Sequence, residues 1–212
     1  MVQLSKLGKK VNLPAKGITT VPVIVFENME TWGMVRRFLK RDVPDKAIDD
    51  LLAAAAMAHS TGNRQPWDFV IVKAQQLRQN LAQATEKQAW IADAPVLMVI
   101  CANEEIARSG MHGERGGKLY AIQDVAAAAQ NVLLAANSLG LAASWVSEFS
   151  EPKVALSLTL PEHVRPQVIL AIGWPAEPPE VNEHHLSEDI VHENLYTKTA
   201  RHMEAYQGEH IR

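Results

Sequence analysis

The sequence has little of what marks secreted, membrane-spanning or nucleic-acid-binding proteins. Its 212 residues include one cysteine, Cys101, so no internal disulfide and no cysteine zinc cluster can form. Lysine and arginine number 21 against 24 for aspartate and glutamate, and the formal charge of −3 gives no basic field to hold nucleic acid or anionic lipid. No run approaches the roughly 20 apolar residues of a membrane-spanning helix. We therefore predict a cytoplasmic protein without nucleic-acid or membrane partners.

Several familiar catalytic motifs are also missing. The segment Gly113-Glu-Arg-Gly-Gly-Lys118 resembles a phosphate loop, but His112 and Leu119 stand where a Walker A motif needs glycine and Ser or Thr. No Gly-x-Gly-x-x-Gly follows a predicted strand, which argues against a Rossmann dinucleotide site. Cys101 ends an apolar run, a position typical of packing rather than of a nucleophile. We predict no metal site and no catalytic side chain.

The apolar pattern predicts an α+β fold, a small sheet with helices packed around it. A helix is predicted to begin at Pro44, because proline suits the first turn and apolar residues then recur at helical spacing. Strands are predicted over 69–72 and over the continuous apolar run 95–101, which is typical of a strand buried on both faces. An alanine-rich helix is predicted over about 119–139, ending at Gly140.

The ends of the chain differ from its middle in composition. Residues 1–29 are predicted to be an extension that contains a short edge strand, Val21 to Phe26, because Pro22 would interrupt a central strand. Residues 30–175 form the predicted domain, within which residues 110–117 are predicted to be a glycine-rich loop. The tail, residues 176–212, has too few apolar residues to fold alone, so we expect it to pack on the same domain or on a partner subunit.

A polar loop between the predicted helix at Pro44 and the strand 69–72 has the makings of a ligand site. It runs from His59 to Trp67 and supplies hydroxyl and amide hydrogen-bonding groups beside an indole. Such a set suits a flat heteroaromatic ligand with a polar edge. The alternative is that these residues only cap the helix and form a turn.

The loop reads Ser60-Thr-Gly-Asn63-Arg-Gln65-Pro66-Trp67, and other motifs flank it in order along the chain. These are Val35-Arg-Arg-Phe38, Val43-Pro44, Gln88 ahead of Ala94-Pro95, the helix from Tyr120, Leu139-Gly-Leu141, Trp145 to Phe149 and Ile172-Gly-Trp-Pro175. Together they resemble the FMN-dependent nitroreductase family, whose members carry Ser-x-x-Asn-x-Gln-Pro-Trp at the end of a helix. The resemblance covers residues from about 30 to 175.

This resemblance implies a nitroreductase-like fold, a central and mostly antiparallel sheet flanked by helices, in an intertwined homodimer. Two FMN molecules would lie at the subunit interface, and the alanine-rich helix would be the central dimer helix. NAD(P)H would deliver hydride to the flavin N5 and then be replaced by a nitroaromatic, a quinone or a similar small-molecule acceptor, in a ping-pong reaction. The cofactor would carry the chemistry, and the protein would position it.

The resemblance also assigns cofactor-binding residues. Arg36 is expected near the pyrimidine side of the flavin or its ribityl chain, where a cation stabilises negative charge. Gln88 is expected near the ring, and the backbone at Val146, Ser147 and Glu148 along the N5 edge. The loop residues Ser60, Thr61, Asn63 and Gln65 are expected to contact the cofactor, partly across the interface. Arg37 and Arg201 are also predicted to contact it, not from a matching family position but as cations available to its phosphate.

One departure from the family lies at the phosphate end. Family members usually show Arg-Arg-Ser-x-Arg where this chain has Trp32-Gly-Met34-Val-Arg36, so two phosphate ligands are missing. Two charge-assisted hydrogen bonds are worth about 3–6 kcal/mol, or two to four decades in affinity. A shifted register would place Arg36, Arg37 and Lys40 on the family arginines, but Phe38 favours the first alignment. Replacement cations are available among Arg37, Lys40, Arg41, Lys198 and Arg201.

Two alternatives to a nitroreductase-type enzyme stay open. The first is a non-catalytic member that binds flavin or another planar ligand through an altered phosphate site. The second is a flavin-fragmenting or dehalogenating enzyme of the same fold.

Overall fold

The computed structural model describes residues 10–11, 21–181, 192 and 194–196, and only the backbone of 10–11 and 21–24. The chain divides into two compact units. The larger comprises residues 31–180, and the other comprises residues 1–30 together with 181–212. The predicted assignment of 1–29 as an extension, 30–175 as a domain and 176–212 as a tail stays a prediction.

In the smaller unit, β1 (Lys10–Val11) pairs antiparallel with β2 (Val21–Pro22), and α1 (Val23–Thr31) follows directly. The predicted strand from Val21 to Phe26 is therefore wrong beyond Pro22. A proline without an N–H is tolerated just before a first helical turn, where that donor would have no partner in the helix. The same residue therefore ends the strand and allows the helix to begin.

The larger unit is built on a four-stranded antiparallel sheet. Its strands are β3 (Trp67–Val72), β4 (Val96–Asn103), β5 (Ala142–Val146) and β6 (Val164–Gly173), in the spatial order β3-β4-β6-β5. The predicted α+β class with an antiparallel sheet is confirmed. Strand β4 has neighbours on both sides and is buried on both faces, as its continuous apolar sequence predicts.

Helices cover both faces of this sheet. The α-helices are α2 (Asp45–Ala56), α3 (Gln75–Ala84), α4 (Glu104–Arg108), α5 (Gly113–Arg115), α6 (Ala121–Ser138) and α7 (Glu151–Leu158). Helices α2 and α6 bury their apolar sides with Met98 and Ile100 of β4, whereas α3 and α7 pack with Leu97 and Val99. This alternation follows from the two-residue period of a strand.

The predicted glycine-rich loop 110–117 is wrong in its second half, because α5 and a π-helical turn, Gly116–Tyr120, lead directly into α6. A Cβ atom at Gly116 would lie 2.1 Å from the carbonyl oxygen of Ala107, and one at Gly117 would lie 2.6 Å from Arg108 Nε. The glycines therefore allow helical turns to pack closely on α4, rather than forming an open loop.

Among the described residues, the continuous helical stretch Gly113–Ser138 is long and apolar enough to cross a membrane by length and composition. Core helices pass the same test, and here Val125, Val132 and Leu133 are buried against the sheet. The stretch is therefore weak evidence for a membrane span.

Candidate functional site

A cavity of about 450 Å³ opens beyond the end of β5, where the chain leaves the sheet after Val146. Three separate segments line it. Its lining residues are Arg36, Lys87, Gln88, Trp90, Trp145, Ser147 and Glu148. The cavity combines two cations, one carboxylate, two indole rings, an amide and a hydroxyl, a set that suits an aromatic molecule with polar groups and partial negative charge.

Four of the residues predicted from the sequence meet in this cavity, although up to 112 positions separate them along the chain. These four are Arg36, Gln88, Ser147 and Glu148. Sequence reasoning left out Lys87, Trp90 and Trp145. Lys87 is next to the predicted Gln88 in the sequence, and the two tryptophans stand out in a chain with only 6% aromatic residues. Both features could have identified these three residues as candidates from the sequence.

A buried serine positions Arg36. The Ser144 hydroxyl on β5 accepts a hydrogen bond from the Val35 N–H at 3.1 Å and donates one to the Val35 carbonyl at 2.6 Å. Both residues are almost completely buried. Because the backbone of Val35 is held to the sheet in this way, the next residue, Arg36, is fixed at the mouth of the cavity.

An acidic segment, residues 176–180, runs alongside the segment that carries Arg36. The Ala176 N–H donates to the Arg37 carbonyl at 2.9 Å, and Met34 and Glu180 exchange two backbone hydrogen bonds of 3.0 and 2.8 Å. The two segments therefore lie side by side as a short antiparallel pair.

The side chains of this acidic segment pair with both arginines. The Glu180 carboxylate accepts from Arg36 Nη1 at 2.6 Å, and the Glu177 carboxylate accepts from Arg37 Nε at 2.5 Å. Glu177 also accepts from the backbone N–H groups of Arg36 and Arg37. The hydrogen bond from the Arg37 side chain, followed by those from the backbone, lowers the pKa of Glu177 below its usual range.

Residues 32–34, where the sequence departs from the family pattern at the expected phosphate site, carry no cation. Trp32 lines a separate cavity of about 140 Å³, and its buried indole N–H has no hydrogen-bond partner in the described part of the chain. A Cβ atom at Gly33 would lie 2.6 Å from the carbonyl oxygen of Glu180, so the close backbone approach leaves no room for a longer side chain. Met34 offers no charge. Positions 32–34 therefore offer no cation to a phosphate group, and the cations that line the 450 Å³ cavity are Arg36 and Lys87.

The loop predicted to bind a cofactor forms a second cluster, outside the lining of that cavity. Ser60 is buried, and its hydroxyl accepts from the Gln65 N–H at 3.0 Å. The Asp124 carboxylate on α6, also buried, accepts from the Thr61 N–H at 3.0 Å and from the Thr61 hydroxyl at 3.2 Å. Ser60 and Thr61 therefore hold the loop in shape.

The tip of this loop has an unusual backbone. Gly62, Asn63 and Gln65 all have positive φ, of 60°, 54° and 52°. This region suits glycine and tolerates asparagine, but it costs a residue such as glutamine about 1 kcal/mol. The Asn63 and Gln65 side chains are exposed and are linked by a 3.0 Å hydrogen bond. The strain therefore presents two amide side chains to the outside of the chain.

The remaining predicted residues divide into three groups. Val146 is buried in the core, so only its backbone can border the cavity. Arg201 and Lys198 lie outside the described residues. Cys101 is fully buried, and burial, followed by the charge of Asp68, raises the pKa of its thiol to about 12. Its interpretation as a packing residue is confirmed, because a protonated buried thiol is a poor nucleophile.

Comparison with known proteins shows which family the chain resembles. A family model described as "Nitroreductase family" matches residues 30–90 and 83–174. The chain is 31% identical over 168 residues to an oxygen-insensitive NADPH nitroreductase of Salmonella typhimurium, covering 76% of this chain and 70% of that protein. It also resembles the solved structure of the NADPH:FMN oxidoreductase from Vibrio harveyi complexed with NAD+. That match has a TM-score of 0.75, 27% identity and coverage of 82% and 78% of the two chains.

More distant relatives carry other activities in their names. An iodotyrosine deiodinase of Haliscomenobacter hydrossis is 27% identical, with coverage of 72% of this chain and 79% of that protein. A 5,6-dimethylbenzimidazole synthase of Rhodospirillum rubrum is also 27% identical, with coverage of 68% and 80%.

Proposed function

The chain belongs to the nitroreductase family, and from this premise we propose that it passes hydride from NAD(P)H to a nitroaromatic, a quinone or a similar small acceptor. The protein is an NAD(P)H-dependent oxidoreductase whose cofactors are FMN and NAD(P)H. One observation carries the proposed site: Arg36, Gln88, Ser147 and Glu148, which the family resemblance assigns to the flavin, line one cavity.

When bound, FMN accepts hydride at N5 and passes it on to the acceptor. The chain's own residues hold and surround it. Arg36 would place positive charge beside the ring, Gln88 would offer an amide to the ring edge, and the backbone at Ser147 and Glu148, just after β5, would border the N5 edge. Trp90 and Trp145 would supply aromatic walls against which the flavin ring could pack.

We further propose that a second copy of the chain completes the site. The loop of residues 60–65 lies outside the cavity lining of its own chain and presents the Asn63 and Gln65 amides outward on a strained backbone. In a homodimer, this loop of one subunit would reach the flavin held mainly by the other. The location in the cytoplasm stays a prediction.

The visible absorption spectrum tests the proposal. Purified protein, alone and after FMN is added and the excess removed, is expected to retain a flavin spectrum. NADH or NADPH should bleach it, and a nitroaromatic or quinone should restore it. A protein that stays colourless after FMN is added would contradict the proposal and would mean that positions 32–34 leave the phosphate end without sufficient binding groups.

Replacing Asn63 by alanine is expected to weaken FMN binding by roughly twofold to tenfold, the loss of one neutral hydrogen bond. Titration of flavin fluorescence measures this affinity. Alanine at φ 54° also adds backbone strain, so Asn63→Gly is the matched variant, because it removes the amide without the strain. If Asn63→Gly binds FMN as tightly as the unmodified protein, the amide makes no contact with the cofactor.

A second candidate function is favoured by the more distant relatives, which include a deiodinase and a benzimidazole synthase. The reaction products distinguish the candidates. Halide release from a halogenated phenol would indicate dehalogenation, and consumption of the flavin ring itself would indicate fragmentation. NAD(P)H-driven turnover of nitroaromatics with the flavin intact supports the nitroreductase-type reaction.

A further inference from the structure

The Arg36 side chain is shared between the flavin cavity and the acidic segment 176–180. It lines the cavity, and its Nη1 donates to the Glu180 carboxylate at 2.6 Å. A guanidinium has five N–H donors, so Glu180 and a molecule in the cavity can bind Arg36 at the same time. Resting on the proposed function, we propose that Glu180 is a positioning residue that holds Arg36 and offsets its charge, and thereby limits how strongly the site favours reduced over oxidised flavin.

Glu180 contacts the segment that carries Arg36 through its backbone and, separately, through its side chain. The backbone of Glu180 is bound to the backbone of Met34, so the main chain fixes the segment whatever side chain stands at position 180. Glu177 adds a second anchor through Arg37. The Glu180 carboxylate therefore contributes charge and the orientation of Arg36, and its removal leaves the fold of the segment in place.

The direction of the effect follows from electrostatics. Two-electron reduction of the flavin adds negative charge to the ring, and a neighbouring cation favours that charged form. A carboxylate 2.6 Å from the cation opposes this preference. Since Arg36 and Glu180 are 51% and 61% exposed, solvent screens the pair, so the effect is modest.

Replacing Glu180 by glutamine is expected to tighten binding of reduced flavin by roughly threefold to fivefold, with oxidised flavin almost unchanged. For a two-electron couple this raises the midpoint potential by about 15–20 mV. The potential of the bound flavin is measured against a reference dye. Glu180→Lys should shift it further in the same direction, and an unfolding curve checks that each variant is folded.

Two controls test whether the change in potential comes from the ion pair of Arg36 and Glu180. Glu114→Gln removes the same charge from another exposed ion-paired glutamate outside the cavity lining and should leave the potential unchanged. In an Arg36→Ala background, Glu180→Gln should shift the potential less than it does in the unmodified protein, because the part of the effect that comes from holding Arg36 is lost. An unchanged potential in Glu180→Gln, or a shift of equal size in Glu114→Gln, would overturn the inference. If Arg36→Ala itself leaves flavin affinity unchanged, the proposed site fails as well, which is a separate result.

Discussion

Replacing Arg36 by alanine is expected to weaken FMN binding by roughly tenfold to 150-fold, the loss of one charge-assisted hydrogen bond. Arg36 lines the cavity with Gln88, Ser147 and Glu148, the residues that the family resemblance assigns to the ring. Its guanidinium is therefore expected to bind the pyrimidine side or the ribityl chain. Flavin fluorescence titration gives the dissociation constants of the variant and the unmodified protein.

Riboflavin, which lacks the phosphate, distinguishes the two alignments of this segment. If Arg36 contacts the ring or ribityl chain, Arg36→Ala weakens riboflavin and FMN by the same factor. If the shifted register is right and Arg36 binds the phosphate, only FMN is affected. Arg41→Ala is the matched control, since that guanidinium lies 4.0 Å from the centre of the Trp174 ring and outside the cavity lining. Equal FMN affinity in Arg36→Ala and the unmodified protein would contradict the site.

Elements with a strong local pattern could be predicted from the sequence. The run of Val96 to Ala102 is apolar at every position, and it forms β4, one of the two inner strands of the sheet. The helix beginning after Pro44 buries Ile48, Leu51 and Ala55, three of the four residues of its predicted apolar stripe, and leaves the fourth, Leu52, half-buried. Burial follows from the continuous apolar run in the strand and from the helical spacing of apolar residues in the helix. The failures lie where a proline or glycine has more than one role, as at Pro22 and at Gly116.

In the candidate site too, residues in short local motifs could be predicted from the sequence, whereas long-range contacts could not. Gln88, Ser147 and the loop from Ser60 could be named because the family resemblance is carried by short contiguous motifs. The acidic segment could not, because Glu177 and Glu180 contact residues 140 and 144 positions earlier in the chain. A single sequence contains no signal for such a pairing, since the carboxylates read as ordinary residues of a polar tail. Asp124 was hidden for the same reason, as one acid on an alanine-rich helix.

Replacing Ser144 by alanine is expected to lower the free energy of unfolding by about 2–6 kcal/mol, because two buried backbone groups of Val35 lose their partner and each costs about 1–3 kcal/mol. Denaturant unfolding measures this loss. The segment that carries Arg36 also loses its attachment to β5 beside the cavity, so FMN affinity should fall together with stability.

A second serine serves as the control, because its replacement by alanine also removes a hydroxyl group but leaves no buried backbone group of Val35 without a partner. Ser157 is half-buried, and its hydroxyl donates to the Lys153 carbonyl within α7 in a hydrogen bond open to solvent, so Ser157→Ala should change the free energy of unfolding by less than about 0.5 kcal/mol. If Ser144→Ala is as stable as Ser157→Ala, water has replaced the hydroxyl and Val35 is not held by it. If stability falls but FMN affinity does not, Arg36 is held in place by its pairing with Glu180 rather than by the sheet. The position of this arginine beside the flavin then depends on the acidic segment.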